Sequence, residues 1–259
     1  MARIYPLFSS SRGNAAFVGT PSGGVLIDAG VSAKRLRDAL SRAGIPEAAV
    51  QGIFVTHDHS DHVSGLRVFC RQTGIPVYAE PKTRENLFSC HYVEPDADVR
   101  TLTEPVTLCG MTLTPFATSH DTVQSCGYRI TMPDGQSCAV CTDLGFVPDS
   151  VKDALRGCRL VLLEANYDEQ MLRCGPYPDY LKRRISSDSG HLSNVQCGEL
   201  ARFLVQNGTV HLVLGHLSEH NNTPETALRT VTEALHGYVC GQDYLLDAAM
   251  PEDGRMIAF

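Results

Sequence analysis

His57, His59, Asp61 and His62 place four metal-binding side chains within six residues, directly after the apolar run Gly52-Ile53-Phe54-Val55. This density constrains the fold more than any other feature, because an apolar strand must end where a polar loop can gather donors around a cation. Imidazole suits zinc and other first-row ions and a carboxylate adds neutralising charge, so three His and one Asp point to a catalytic ion; a structural zinc would call for thiolates. The i, i+2 and i, i+4, i+5 spacing aims the donors in two directions, which two adjacent ions satisfy better than one. Asp58, between two of these His, reads either as a metal contact or as a carboxylate that orients a neighbouring ligand.

The chain has 259 residues and a formal net charge of −7. No Pro/Gly/Ser linker or charge block divides it, so residues 1–259 are read as a single domain. The apolar run near the N-terminus is too short for a secretory signal, and nowhere do eighteen apolar residues run together, which predicts a cytoplasmic chain without membrane partners. Ten scattered Cys predict mostly reduced, buried thiols. Cys138 and Cys141 lie in a strand-like segment where i and i+3 point to opposite faces, which argues against a chelate. The acidic balance argues against a broad basic surface for coating nucleic acid, while a local anion site beside divalent cations stays open.

Short apolar runs over Arg3 to Phe8, Ala15 to Gly19 and Gly24 to Asp28 predict strands, and Ser32 caps a helix with Leu36, Ala39 and Leu40 on one face and Gly44 as its stop. Asp61 to Thr73, Pro76 to Ala79 and Pro81 to Cys90 follow as helix, strand, helix. Strands are expected at Val99 to Leu102, Met111 to Ala117, Gly127 to Met132 and Ser137 to Thr142. The rest reads as helix Asp149 to Arg156, strand Leu160 to Glu164, helix Ser193 to Gln206, strand Val210 to Leu214 and helix Thr223 to His236. Periodicity alone establishes a mixed α/β chain.

His120, Asp143 and His216 each follow an apolar strand, a place where ligand types and plain turn residues are both common. His-x-His-x-Asp-His after a buried strand resembles the signature of the metallo-β-lactamase superfamily, and these three residues match that family's later metal positions in order. The resemblance implies the αβ/βα four-layer sandwich of two mixed sheets flanked by helices. It also implies two divalent ions, zinc foremost with manganese or iron accepted. His57, His59 and His120 would hold one and Asp61, His62 and His216 the other, with Asp143 and a hydroxide as bridges.

Ser193 and Gln196 form a Ser-x-x-Gln capping box, which puts His191 before a helix N-terminus, a place suited to phosphate. Glu164 ends an apolar strand and needs a partner when buried, and His191 is a candidate. Glu164-Ala-Asn and Gly190-His191-Leu-Ser resemble segments of the tRNA 3′-processing branch. A longer ordered set, from Ser9-Ser-Ser-Arg-Gly-Asn14 to His216-Leu-Ser-Glu-His-Asn-Asn222, resembles the bacterial YycJ (WalJ) branch. That resemblance implies a DNA-acting phosphodiesterase, 5′-to-3′ exonuclease-like, with Asp61, Glu164 and His191 as catalytic residues. Ser10, Ser11, Asn14, Lys182, Arg183, Arg184, Ser193 and Asn222 are candidate contacts to the nucleic acid. The rival readings are a metal-dependent acyl hydrolase such as a lactonase, thioesterase or β-lactamase, and a non-catalytic metal-binding regulator.

Overall fold

Strands buried on both faces read as near-continuous apolar runs because parallel pairing leaves no solvated side, and Gly23–Ile27, Val77–Ala79, Ser137–Cys141, Leu160–Glu164 and His211–Gly215 behave in that way. The computed structural model describes residues 2–259. In chain order the elements are β1 (Arg3–Ser10), β2 (Gly13–Thr20), β3 (Gly23–Ile27), α1 (Ala33–Arg42), β4 (Val50–Phe54), α2 (Ser60–Val63), α3 (Leu66–Thr73), β5 (Val77–Ala79), α4 (Pro81–Ser89), β6 (Val99–Thr101), β7 (Val106–Leu108) and β8 (Met111–Ala117). There follow β9 (Cys126–Thr131), β10 (Ser137–Cys141), α5 (Asp149–Leu155), β11 (Leu160–Glu164), α6 (Glu169–Cys174), α7 (Asp179–Ile185), α8 (Asn194–Gln206), β12 (His211–Gly215), α9 (Pro224–Ala234), β13 (Leu245–Ala248) and β14 (Ile257–Ala258). Two compact units result, one of residues 1–115, 122–126 and 250–259, the other of 116–121 and 127–249.

In the first unit a seven-stranded sheet has the order β14-β1-β2-β3-β4-β5-β6. β1, β2 and β3 pair antiparallel, whereas β3 to β6 run parallel. Its core gathers Phe17, Leu26, Ile53, Val55, Leu66 and Phe69; burying one such side chain contributes roughly 1.5–3 kcal/mol. β7 and β8 pair antiparallel and end the second seven-stranded sheet, whose order is β13-β12-β11-β10-β9-β8-β7. In the second unit β10 to β13 are parallel and β9 pairs antiparallel on β10. Leu163, Leu192, Leu200, Leu204 and Leu214 lie in its core. Both sheets are therefore mixed, and within each the parallel strand ends can deliver polar residues to one edge of that sheet.

The helix starts follow their caps. Ser32 accepts from the Arg35 amide and α1 buries Leu36, Ala39 and Leu40; Ser193 and Gln196 complete the capping box of α8; Thr223 accepts from the Thr226 amide with Pro224 behind it. The single helix expected over Asp61 to Thr73 is instead two, α2 and α3, parted at Gly65. There the chain presses on the loop after β3: the Gly65 amide donates to the Ala29 carbonyl at 2.8 Å, and a Cβ would come within 2.1 Å of the Val31 carbonyl oxygen. α6, α7, β7, β13 and β14 have no counterpart in the sequence reading. They are short, and the alternately exposed β13 lacks the apolar run that marks a buried strand.

All ten cysteines are free thiols, and six are buried, as small apolar fillers would be. Among the described residues no helix is long and apolar enough to cross a membrane.

Gly30 is where the loop after β3 meets the histidine-rich loop. A Cβ there would lie 1.6 Å from the Asp61 carbonyl oxygen, a backbone group that cannot swing aside. Gly30→Ala is expected to lower stability by about 1–3 kcal/mol, the usual cost of overpacking, read as a lower urea midpoint with an unchanged slope.

Candidate metal centre

Asp28 leaves β3 in the left-handed region at φ 62° and is buried. Its Oδ1 accepts from the Thr56 amide and its Oδ2 from the Thr56 hydroxyl, both at 2.8 Å. His62 Nδ1 lies 2.8 Å from the same Oδ2. Because the Thr56 hydroxyl gives its proton to Asp28, its oxygen is free to accept from His57 Nδ1, 3.0 Å away. One carboxylate thus orients two imidazoles, His62 directly and His57 through Thr56. Burial pushes the Asp28 carboxyl up, against the lowering pull of His62 and these hydrogen bonds.

Asn14 fastens the other side of this loop. Its Nδ2 lies 3.2 Å from Asp61 Oδ2 and 3.1 Å from His62 Nε2, and donates to the Ser10 carbonyl at 3.0 Å. The His57 ring lies 4.7 Å from that of His59 and 4.1 Å from that of His62 between centroids.

The second unit repeats the device. Glu164, the last residue of β11, is fully buried. Its Oε1 lies 2.8 Å from Nδ1 of both His191 and His216, while Oε2 accepts from the Leu144 amide at 2.8 Å and the Leu192 amide at 3.2 Å. Burial alone would raise this carboxyl, but the charge and hydrogen bond of His191 and the hydrogen bond of His216 hold it below the usual carboxylate range. Asp143 follows β10 at φ 61° and His216 follows β12 at φ 55°. Asp143 Oδ1 sits 3.5 Å from His120 Nε2, 3.6 Å from His191 Nδ1 and 3.5 Å from His216 Nδ1. One donor atom from each of Asp143, Glu164, His191 and His216 lies within 4.8 Å of the others. His120 Nδ1 is 3.0 Å from the Gly190 carbonyl, and burial lowers its ring from the ordinary histidine value.

These donors fit a divalent cation. His62, His120 and His216 each set Nδ1 against an oxygen acceptor, which places the proton there and leaves Nε2 its lone pair, the state in which imidazole binds metal.

The remaining predicted contacts fall in several places. Ser10 is buried and accepts from the Arg12 amide, while Ser11 is exposed at the turn. Ser193 caps α8 and reaches Glu169 at 3.2 Å. Asn222 is part of the framework: its amide donates to Ala165 O at 2.8 Å and to Asn194 Oδ1 at 2.8 Å, bracing the turn from which Asn166 donates to the His216 carbonyl at 2.8 Å. On α7, Lys182 Nζ donates to the Arg173 carbonyl at 2.8 Å, Arg184 pairs with Asp121, and Arg183 is exposed. Asp28 and Asn166 were missed by the sequence reading. Asp28 carried the same signal as Asp143, a carboxylate at the exit of an apolar strand.

The Beta-lactamase superfamily domain profile matches residues 24–217, from β3 to the residue after His216. The chain belongs to the metallo-β-lactamase superfamily. It is 34% identical to Exodeoxyribonuclease YycJ of Bacillus anthracis over 95% of this chain and 94% of that protein. It is 35% identical to Exodeoxyribonuclease WalJ of Streptococcus pneumoniae over 88% and 86%, which puts it in the YycJ/WalJ branch. The metallo-β-lactamase fold protein YhfI of Bacillus subtilis, 14% identical, superposes with a TM-score of 0.74 over 100% of both chains. Two mixed sheets flanked by helices, the αβ/βα architecture, are thus this chain's fold.

Asp28→Asn sets an amide NH₂ against groups that are all donors. Metal affinity is expected to fall about 10- to 100-fold, the usual effect of removing a carboxylate behind a ligand histidine, measured by chelator competition.

Proposed function

We propose that this chain, a metal-dependent hydrolase by family and donor set, is a dinuclear phosphodiesterase acting on DNA, an exonuclease working 5′ to 3′. His57, His59 and His120 would hold one ion, Asp61, His62 and His216 the other, and Asp143 would lie between them. Zinc suits this donor set best, with manganese or iron as alternatives. Bound there, two divalent cations would supply an activated water and neutralise the charge gathering on a phosphate.

The observation that carries the reading is Glu164, which lies 2.8 Å from both His191 and His216. His216 belongs to the proposed ligand set, and His191 does not. Its side chain is 17% exposed where that of His216 is 2% exposed, so substrate can reach it. With its Nδ1 proton held by Glu164, His191 in its imidazolium form would carry a second proton on Nε2, to donate as a hydrogen bond to a phosphate oxygen or to pass to the leaving oxygen. Its own amide is fixed to the Ile185 carbonyl at 2.9 Å, which ties it to the end of α7 and its cations. The names of the two relatives favour DNA as the substrate.

His191→Ala is expected to keep its metal and to degrade end-labelled DNA about 10²- to 10⁴-fold more slowly, the range of a lost general acid, with a smaller loss on an ester with a good leaving group. Unchanged DNA turnover, or turnover of lactones or β-lactams in its place, would overturn the reading.

Neutralising Lys182, Arg183 and Arg184 together is expected to weaken DNA binding and flatten its salt dependence by roughly 0.7–0.9 in logarithmic slope per lost phosphate contact. Hydrolysis of a small phosphodiester should survive. An unaltered slope would return these cations to a solvated helix face.

A further inference from the structure

Asp58 stands between His57 and His59, half-buried, with both carboxylate oxygens claimed by side chains of its own unit. Oδ2 accepts from Asn86 Nδ2 of α4 at 2.7 Å, and Oδ1 accepts from the Thr122 hydroxyl. Thr122 is two residues beyond His120 in the chain. The segment that it opens is pinned at two further points. Gln124 accepts from the Thr83 hydroxyl through its carbonyl and from the Lys82 amide through its side chain, both at 3.0 Å. Cys126 donates its amide to the Thr56 carbonyl at 3.0 Å, immediately before His57.

Gln124 also fills a vacant role. α4 begins with Pro81, and its N-cap Glu80 makes no side-chain cap, so an amide of the first turn looks outside the helix for an acceptor. α4 thus serves as the post to which both the histidine-rich loop, through Asn86, and the segment after His120, through Gln124 and Thr83, are tied.

We infer that Asp58 is a clasp, a positioning residue that joins the loop bearing His57 and His59 to the segment following His120 and so sets the shape of that three-histidine ligand set. The assignment rests on the two-ion reading above. Asn86 and Thr122 occupy both Asp58 oxygens and so hold them away from the ligand role. The opposite ligand set, Asp61, His62 and His216, draws its support from Asn14, Asp28 and Glu164. Loosening the clasp therefore weakens one ion and spares the other.

Thr122→Val removes the hydroxyl at nearly constant shape, Asp58→Ala removes both acceptors, and Thr122→Ser restores the hydroxyl. Chelator competition on zinc-loaded protein should show one of two bound equivalents weakened about 10- to 100-fold in the first two variants, with the other unchanged and Thr122→Ser like the parent. The visible spectrum of the cobalt-loaded protein should change for one ion only. In metal-free protein, amide exchange over 122–126 should quicken in Thr122→Val and Asp58→Ala. Unchanged affinities in both variants would overturn the clasp, as would equal weakening of both ions with a lowered melting point, the mark of a merely structural residue. A parent protein that takes up fewer than two ions would remove the two-ion reading and this assignment with it. DNA degradation is not among the readouts, so failure of the nuclease reading leaves the result standing.

Discussion

Two buried carboxylates, Asp28 and Glu164, carry the site. Each orients two imidazoles, Asp28 holding His62 directly and His57 through the Thr56 hydroxyl, Glu164 holding His191 and His216. A bare carboxylate in an apolar interior is costly. Here the cost is offset by backbone amides and by histidine donors that must keep their protons on Nδ1. Burial then does chemical work, because the only nitrogen left with a lone pair is the one that faces away from the sheet end.

The backbone supports this arrangement at some expense. Asp28, Asp143 and His216 each leave an apolar strand in the left-handed region, a conformation that costs a non-glycine residue of order 1 kcal/mol or more and persists where its surroundings hold it. Parallel strands fully buried on both faces give these positions a rigid base.

Much of this was legible beforehand. The histidine-rich loop, the exits at His120, Asp143 and His216, and the Glu164–His191 pair could all be marked from apolar runs followed by polar residues. The caps at Ser32, Ser193 and Thr223 were readable because capping is local. Asp28 escaped notice although its signal was of the same kind, an acidic residue after Val25-Leu26-Ile27. Without the fold, nothing distinguishes it from a strand-ending turn residue. The split of α2 from α3 was hidden for a related reason: a lone Gly65 is tolerated inside a helix, and only the approach of the Ala29–Val31 backbone makes it a break.

The sequence by itself determined which residues could bind metal, that buried strands deliver them, and which family the chain resembles, because hydrophobic periodicity and ligand spacing are short-range properties. Tertiary structure decided which carboxylate stands behind which histidine, that Asn222 braces a turn, that Lys182 and Arg184 already have protein partners, and that Asp58 answers to Asn86 and Thr122. All of those pairings but that of Lys182 with Arg173 join residues tens of positions apart, and their directions depend on where strand ends and loops meet in space, which no local pattern encodes.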